Sequence, residues 1–170
     1  MTRYTVLLSQ EAKSFHEHVK SKLILPENVA TFADGIKASG KTLATLNGSF
    51  DLLHAGHLEM IYQASRQADL LFMALNTDRS IQQYKSPLRP IIPLEYRLQM
   101  IAALEMVDYI TYFDETDPRE LLKKIKPNVH VNGAEYGENC IEAEVVRQNG
   151  GKVHIVQLVP GLSTSTIIDV

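Results

Sequence analysis

At 170 residues and 45% hydrophobic, with 17 Lys and Arg against 20 Asp and Glu, the chain has the size and composition of one globular domain with its own core. Its formal net charge of −3 excludes the broad basic surface of a nucleic-acid-binding protein, so any phosphate recognition must be local. A lone cysteine, Cys140, excludes an internal disulfide and a cysteine-based metal knuckle, and it fits a reducing compartment. The apolar stretches 70–75 and 153–159 are too short to span a bilayer, and residues 1–8 are too polar for a signal peptide. The expectation is a soluble, cytoplasmic protein with no membrane partner.

Segments 11–25 and 29–39 carry helical periodicity but no motif, and Pro26 separates them. Gly40-Lys41 then leads into the first strand. These residues predict a helical N-terminal extension over 1–40, packed on a sheet or on a second subunit, ahead of a domain over 41–170.

From Thr42 onward, short apolar runs alternate with longer segments of helical period. Strands are expected at 43–46, 70–76, 107–113, 129–131 and 153–158, the second and last being apolar enough for central places. Helices are expected at 56–67, 93–105, 118–126 and 141–149, with Pro93 and Pro118 near helix starts and Gly150-Gly151 after a stop. The class is therefore α/β: a Rossmann-like open, parallel five-stranded sheet flanked by helices. No internal repeat interrupts it.

The run from Asn47 through Gly48, Ser49, Phe50 and Asp51 to His54, Gly56 and His57 falls between the first strand and the first helix, where open α/β sheets bind ligands. His54 and His57 are three apart, so on a first helical turn both imidazoles would face one way, beside the positive end of the helix dipole. Gly48 allows close backbone approach, and Gly56 leaves room beside the imidazoles for a phosphate chain. An isolated His pair is more often solvated or buried in a core, and here position reverses that preference. A metal site is not expected, because hydrolytic His pairs on helices use i, i+4 spacing with an adjacent glutamate.

Two further segments have phosphate-directed chemistry. Lys85 and Arg89 lie on a loop stiffened by Pro87 and Pro90, although one Lys and one Arg on a loop are commonly only solvated charge. Ser163, Thr164, Ser165 and Thr166 follow Gly161 at the start of a short C-terminal helix, more hydroxyls than an ordinary N-cap needs.

His54-Ala55-Gly56-His57 resembles the His-x-Gly-His signature of the cytidylyltransferase-like nucleotidyltransferases. The resemblance implies that His54 and His57 contact a triphosphate and stabilise the α-phosphoryl group. It further implies that the turn Asn47 to Phe50 cradles phosphates, that Lys85 contacts the transferred group, and that Ser163 to Thr166 bind the β- and γ-phosphates. Asp51 would help to organise the site, and Mg²⁺ would be bound mainly through the nucleotide's phosphates.

Over most of 40–170 the order of Asn76-Thr77-Asp78, Lys85, Arg89-Pro90, Pro93, Arg97, Lys126-Pro127 and Gly150-Gly151 resembles the adenylyltransferase branch of bacterial ADP-heptose synthesis. That likeness implies transfer of AMP from ATP to D-glycero-β-D-manno-heptose 1-phosphate, with Arg89 and Asn132 on the sugar phosphate, in a homodimer. It also implies a separate sugar kinase, for which 170 residues leave no room. Where the branch usually reads Val-Lys-Gly-Gly-Asp-Tyr, this chain reads Val131-Asn132-Gly133-Ala134-Glu135-Tyr136. Glycerol-3-phosphate cytidylyltransferase is therefore the second reading, ahead of ethanolamine-phosphate cytidylyltransferase. A non-catalytic nucleotide-binding module is the reading from another class, and it explains three phosphate-directed segments poorly.

Overall fold

The computed structural model describes residues 14–157 together with Ile167. A helix over 14–22 (α1) and a 3₁₀ turn Pro26–Asn28 lead to α2 (Val29–Ala38), β1 (Leu43–Gly48), α3 (Ala55–Ser65), β2 (Leu70–Asn76) and α4 (Asp78–Tyr84). There follow α5 (Leu94–Ala102), β3 (Tyr109–Phe113), α6 (Arg119–Ile125), β4 (Val129–Gly133), α7 (Ala143–Gln148) and β5 (Lys152–Val156). The five strands form one parallel sheet in the order β3-β2-β1-β4-β5.

Alternation along the strands sorts their side chains into two cores. Ala44, Leu46, Leu71, Met73, Leu75, Ile110, Val129 and Val131 pack with Val19 of α1, Ile61 and Ala64 of α3, and Leu98 and Ile101 of α5. On the other face Leu43, Phe72, Ala74 and Phe113 meet Val29 and Ala33 of α2 and Leu121 and Ile125 of α6. The described part of the N-terminal segment thus packs on both faces of the sheet. It also bridges to β3, where Ile24 N–H donates to the Ile110 carbonyl at 2.9 Å.

Two expectations need correction. β5 is not central: it and β3 are the two edge strands among the described residues, its Lys152 exposed and Val153 to Ile155 only half buried, so its apolar content reflects packing on α7 along one side. β1 takes the central place. The helix α4 was not expected, because it spans seven residues and buries only Ser80 and Ile81. Its start is fixed by Thr77, whose hydroxyl accepts from Ser80 N–H at 3.1 Å and donates to Asp114 at 2.5 Å.

The chain runs outward from β1 through β2 to β3, then returns to place β4 on β1's other side. Connections therefore leave the carboxyl ends of β1 and β4 in opposite directions, and a crevice opens between them.

Candidate active site

β1 ends on Asn47-Gly48 and turns sharply through Ser49, Phe50 and Asp51, all three buried. Phe50 adopts a left-handed conformation with φ 47°, which costs an L-residue about 1–2 kcal/mol and persists where the surroundings over-determine it. Those surroundings are the ring's own contacts. Phe50 meets the His57 imidazole edge to face at 5.4 Å, and it fills the space beside Gly48, where an added Cβ would lie 3.1 Å from the ring.

His54 does not sit within the first helical turn, as its spacing led us to expect; it is the extended N-cap of α3. Its Nδ1 accepts a long bond from His57 N–H at 3.4 Å, and the two imidazoles stack with centroids 3.8 Å apart and 24° between planes. Burial, then the nearby charges of His54 and Lys85, lower the His57 pKa to about 4, against the Leu52 carbonyl. Burial also lowers His54. At neutral pH His57 is therefore an uncharged imidazole, and an arriving anion would favour its protonated form.

Lys85 is the C-cap of α4, so that short helix sets where its ammonium reaches. Nζ donates to Ser49 Oγ at 2.9 Å, and the same oxygen lies 2.9 Å from the Tyr84 hydroxyl. Burial lowers the Lys85 pKa, Arg89 and Arg97 adding to the effect and Asp51 opposing it.

Two ion pairs hold this corner. Asp51 accepts from Arg89 Nε at 2.8 Å and from the N–H groups of Ile91 and Ile92 at 2.8–3.0 Å, tying the loop after Lys85 to the turn. Burial alone would raise its carboxyl, but the Ile92 and Ile91 N–H groups and Arg89 hold it below the usual range. Arg97, with no exposed surface, divides its donors between the Ile92 carbonyl at 2.9 Å, the Ser49 carbonyl at 2.7 Å and Asp78 at 2.6 Å.

Across the crevice, Asn132 stands one step past the paired positions Leu46 and Val131, level with Asn47. It is 9% exposed, its Nδ2 donating to Glu142 Oε2 at 3.4 Å and its Oδ1 accepting from Gly133 N–H at 3.2 Å. The structure thus gathers Ser49, Asp51, His54, His57, Lys85 and Arg89 at the end of β1, with Asn132 at the level of Asn47 on the neighbouring β4 and its side chain bonded to Glu142. Ser163 to Thr166 lie outside the described residues. Among the described residues no group of three or more His, Cys, Asp or Glu could hold a metal ion.

Tyr84, Asp78, Arg97 and Glu142 were not foreseen in these places. Arg97 did carry a signal: it shares the α5 stripe of Leu94, Leu98 and Ile101, where an arginine must find partners inside.

Known proteins resemble this chain in sequence and in fold. The family model described as cytidylyltransferase-like matches residues 45–168. The chain is similar to the bifunctional protein HldE of Syntrophotalea carbinolica, 38% identical over 94% of this chain and 33% of that protein. To HldE of Gluconobacter oxydans it is 40% identical over 86% of this chain and 31% of that protein. It spans about a third of the length of these relatives. Among solved structures, a lipopolysaccharide core biosynthesis protein from Thermoplasma volcanium aligns with TM-score 0.57 and 27% identity, over 71% of this chain and 98% of that one. Pantoate-beta-alanine ligase from Francisella tularensis, 14% identical, shares the fold with TM-score 0.58 over 86% of this chain and 76% of that one.

Proposed function

Since this chain belongs to the cytidylyltransferase-like family of nucleotidyltransferases, we propose that it transfers AMP from ATP to D-glycero-β-D-manno-heptose 1-phosphate, forming ADP-heptose and releasing pyrophosphate. The observation that carries this reading is the convergence of His54, His57, Lys85 and the Ser49 turn on the carboxyl end of β1. The sugar branch is supported by the relatives named HldE and by the similar structure named as a lipopolysaccharide core biosynthesis protein.

An oxygen of the sugar phosphate attacks the α-phosphorus in line with the leaving group. The new P–O bond forms as the bond to pyrophosphate breaks, without a covalent enzyme intermediate. Catalysis is then positioning and charge neutralisation. His54, His57 and Lys85 face the transferred group, the turn Asn47 to Phe50 and Gly56 take the phosphate chain, and Ser163 to Thr166 take its far end. Arg89 and Asn132 face the sugar phosphate. Mg²⁺ bound with the nucleotide would supply neutralisation of phosphate charge. It would be held chiefly by phosphate oxygens, since the Asp51 carboxylate is already taken by Arg89, Ile91 and Ile92. The working form in this reading is a cytoplasmic homodimer.

Asn132, an amide where the heptose branch carries a lysine, favours one second reading, glycerol-3-phosphate cytidylyltransferase. Pyrophosphate release from ATP and CTP against heptose 1-phosphate and glycerol 3-phosphate separates the two. Release confined to CTP with glycerol 3-phosphate overturns the heptose reading.

A further inference from the structure

Glu142 is a carboxylate with 6% of its surface exposed, on the β4 side of the crevice. It occupies the N-cap position of α7, yet its side chain makes no capping bond. The carboxylate turns instead toward Asn132, whose Nδ2 reaches it only at 3.4 Å, and toward the Cys140 thiol. Arg119 lies within electrostatic range, but its Nε and Nη2 are bonded to Asp117.

A carboxylate offers about four acceptor positions. Among the described residues, Glu142 accepts one long bond from a neutral amide, and the Cys140 thiol lies near it. Such burial is unfavourable without stronger donors, so a group of this kind beside a ligand crevice is a candidate for receiving them from a ligand. The donors cannot belong to a phosphate, which the carboxylate would repel. Hydroxyls meet the requirement, and two on neighbouring carbons match the two oxygens of one carboxylate.

The crevice is therefore polarised. Its β1 side presents His54, His57, Lys85 and Arg89 to anions, and its β4 side presents Glu142 and the second lone pair of Asn132 Oδ1 to donors. Burial and the Glu135 carboxylate push the nearby Tyr136 phenol up, with smaller contributions from Tyr84 and Glu142. The Tyr84 hydroxyl in turn meets Ser49.

Resting on the nucleotidyltransferase reading, we propose that Glu142, held by Asn132, binds vicinal hydroxyls of a phosphorylated ligand and so determines specificity on the β4 side. The diol is that of the nucleotide's ribose or that of the sugar.

Direct binding to wild type, Glu142→Gln and Glu142→Ala tests this, with folding checked by circular dichroism; Gln keeps the volume should Ala fail to fold. The probes are ATP, 2′-deoxy-ATP, tripolyphosphate, heptose 1-phosphate and inorganic phosphate. Either variant should weaken ATP or heptose 1-phosphate by about tenfold or more, the loss of one hydrogen bond to a charged group, and leave both inorganic anions unaffected. Loss on ATP that 2′-deoxy-ATP reproduces in wild type assigns the ribose; loss confined to heptose 1-phosphate assigns the sugar. The proposal falls if both hydroxyl-bearing ligands bind the variants like wild type, if the inorganic anions weaken equally, or if neither hydroxyl-bearing ligand binds wild type. Pyrophosphate release by wild type is scored separately. Its absence removes the nucleotidyltransferase reading, while the binding series still decides the role of Glu142.

Discussion

Arg97 Nη1 donates to the Ser49 carbonyl at 2.7 Å from a side chain with no exposed surface, which fixes the turn after β1 to helix α5. The same guanidinium holds the Ile92 carbonyl and Asp78, so one planar fork joins the turn, the loop after Lys85 and the start of α4. Replacing it with methionine strands two carbonyls and leaves Asp78 with the Leu94 N–H alone. We expect Arg97→Met to lose about 2–4 kcal/mol of stability and Arg97→Lys, a single ammonium without the fork, to lose part of that. Urea denaturation read beside pyrophosphate release checks this, and a lysine variant indistinguishable from wild type in both would show that the fork is not needed.

His57→Ala should leave a folded protein whose turnover is lower by roughly 10²-fold or more, the effect of removing one positioned donor to developing charge. Near-normal turnover would remove His57 from the chemistry.

For Lys85→Ala the loss should fall on turnover rather than on nucleotide affinity, since its charge matters most as the α-phosphoryl group transfers. Its amine is already positioned by Ser49 in the free protein. Should nucleotide binding weaken while kcat holds, Lys85 would be a binding residue only.

The pKa values of His57 and His130 are both held near 4, mainly by burial, against 6.5 for an ordinary histidine. The unfolded chain therefore binds more protons between about pH 6.5 and 4, and stability present above that window is lost as pH falls through it. Thermal melts across this range should show the loss, and His130→Asn should flatten part of it. His130 is wholly buried on β4 and bonded through Nδ1 to Thr45 at 2.8 Å, away from the crevice. A melting profile with the same slope in wild type and variant would mean that other groups set the acid limit.

The parallel sheet was legible because β1 and β2 are buried on both faces and so carry near-continuous apolar runs. β5 misled because an edge strand packed against α7 can be as apolar as a central one; the exposure of Lys152 was the overlooked signal. Of the site, the His54-Gly56-His57 corner was legible as a local spacing. Arg97, Tyr84 and Glu142 act through partners 48, 35 and 10 residues away, and no local pattern encodes such pairings. The short helix α4 was hidden by its polar surface, although Thr77 is a favoured N-cap residue.

Asn132→Lys tests the substrate reading and the environment of Glu142 together. The amide is 9% exposed and bonded to Glu142 at 3.4 Å, so a lysine there would enter beside a carboxylate able to accept its charge. Charge-assisted hydrogen bonds are about twice as strong as neutral ones, and the fold should tolerate the exchange. With heptose 1-phosphate as substrate, the added cation should keep activity with ATP and lower the sugar-phosphate KM. In that reading Arg89 and Lys85 would supply the cationic partners in wild type. Part of the new charge is taken up by Glu142, so the gain should be larger when Asn132→Lys is added to Glu142→Gln than when it is added to wild type. A double-mutant cycle on KM measures that coupling. Equal gains in both backgrounds would mean that the new ammonium does not meet Glu142. If wild type uses glycerol 3-phosphate with CTP, and neither wild type nor Asn132→Lys accepts the heptose, the heptose branch falls while the nucleotidyltransferase family stands.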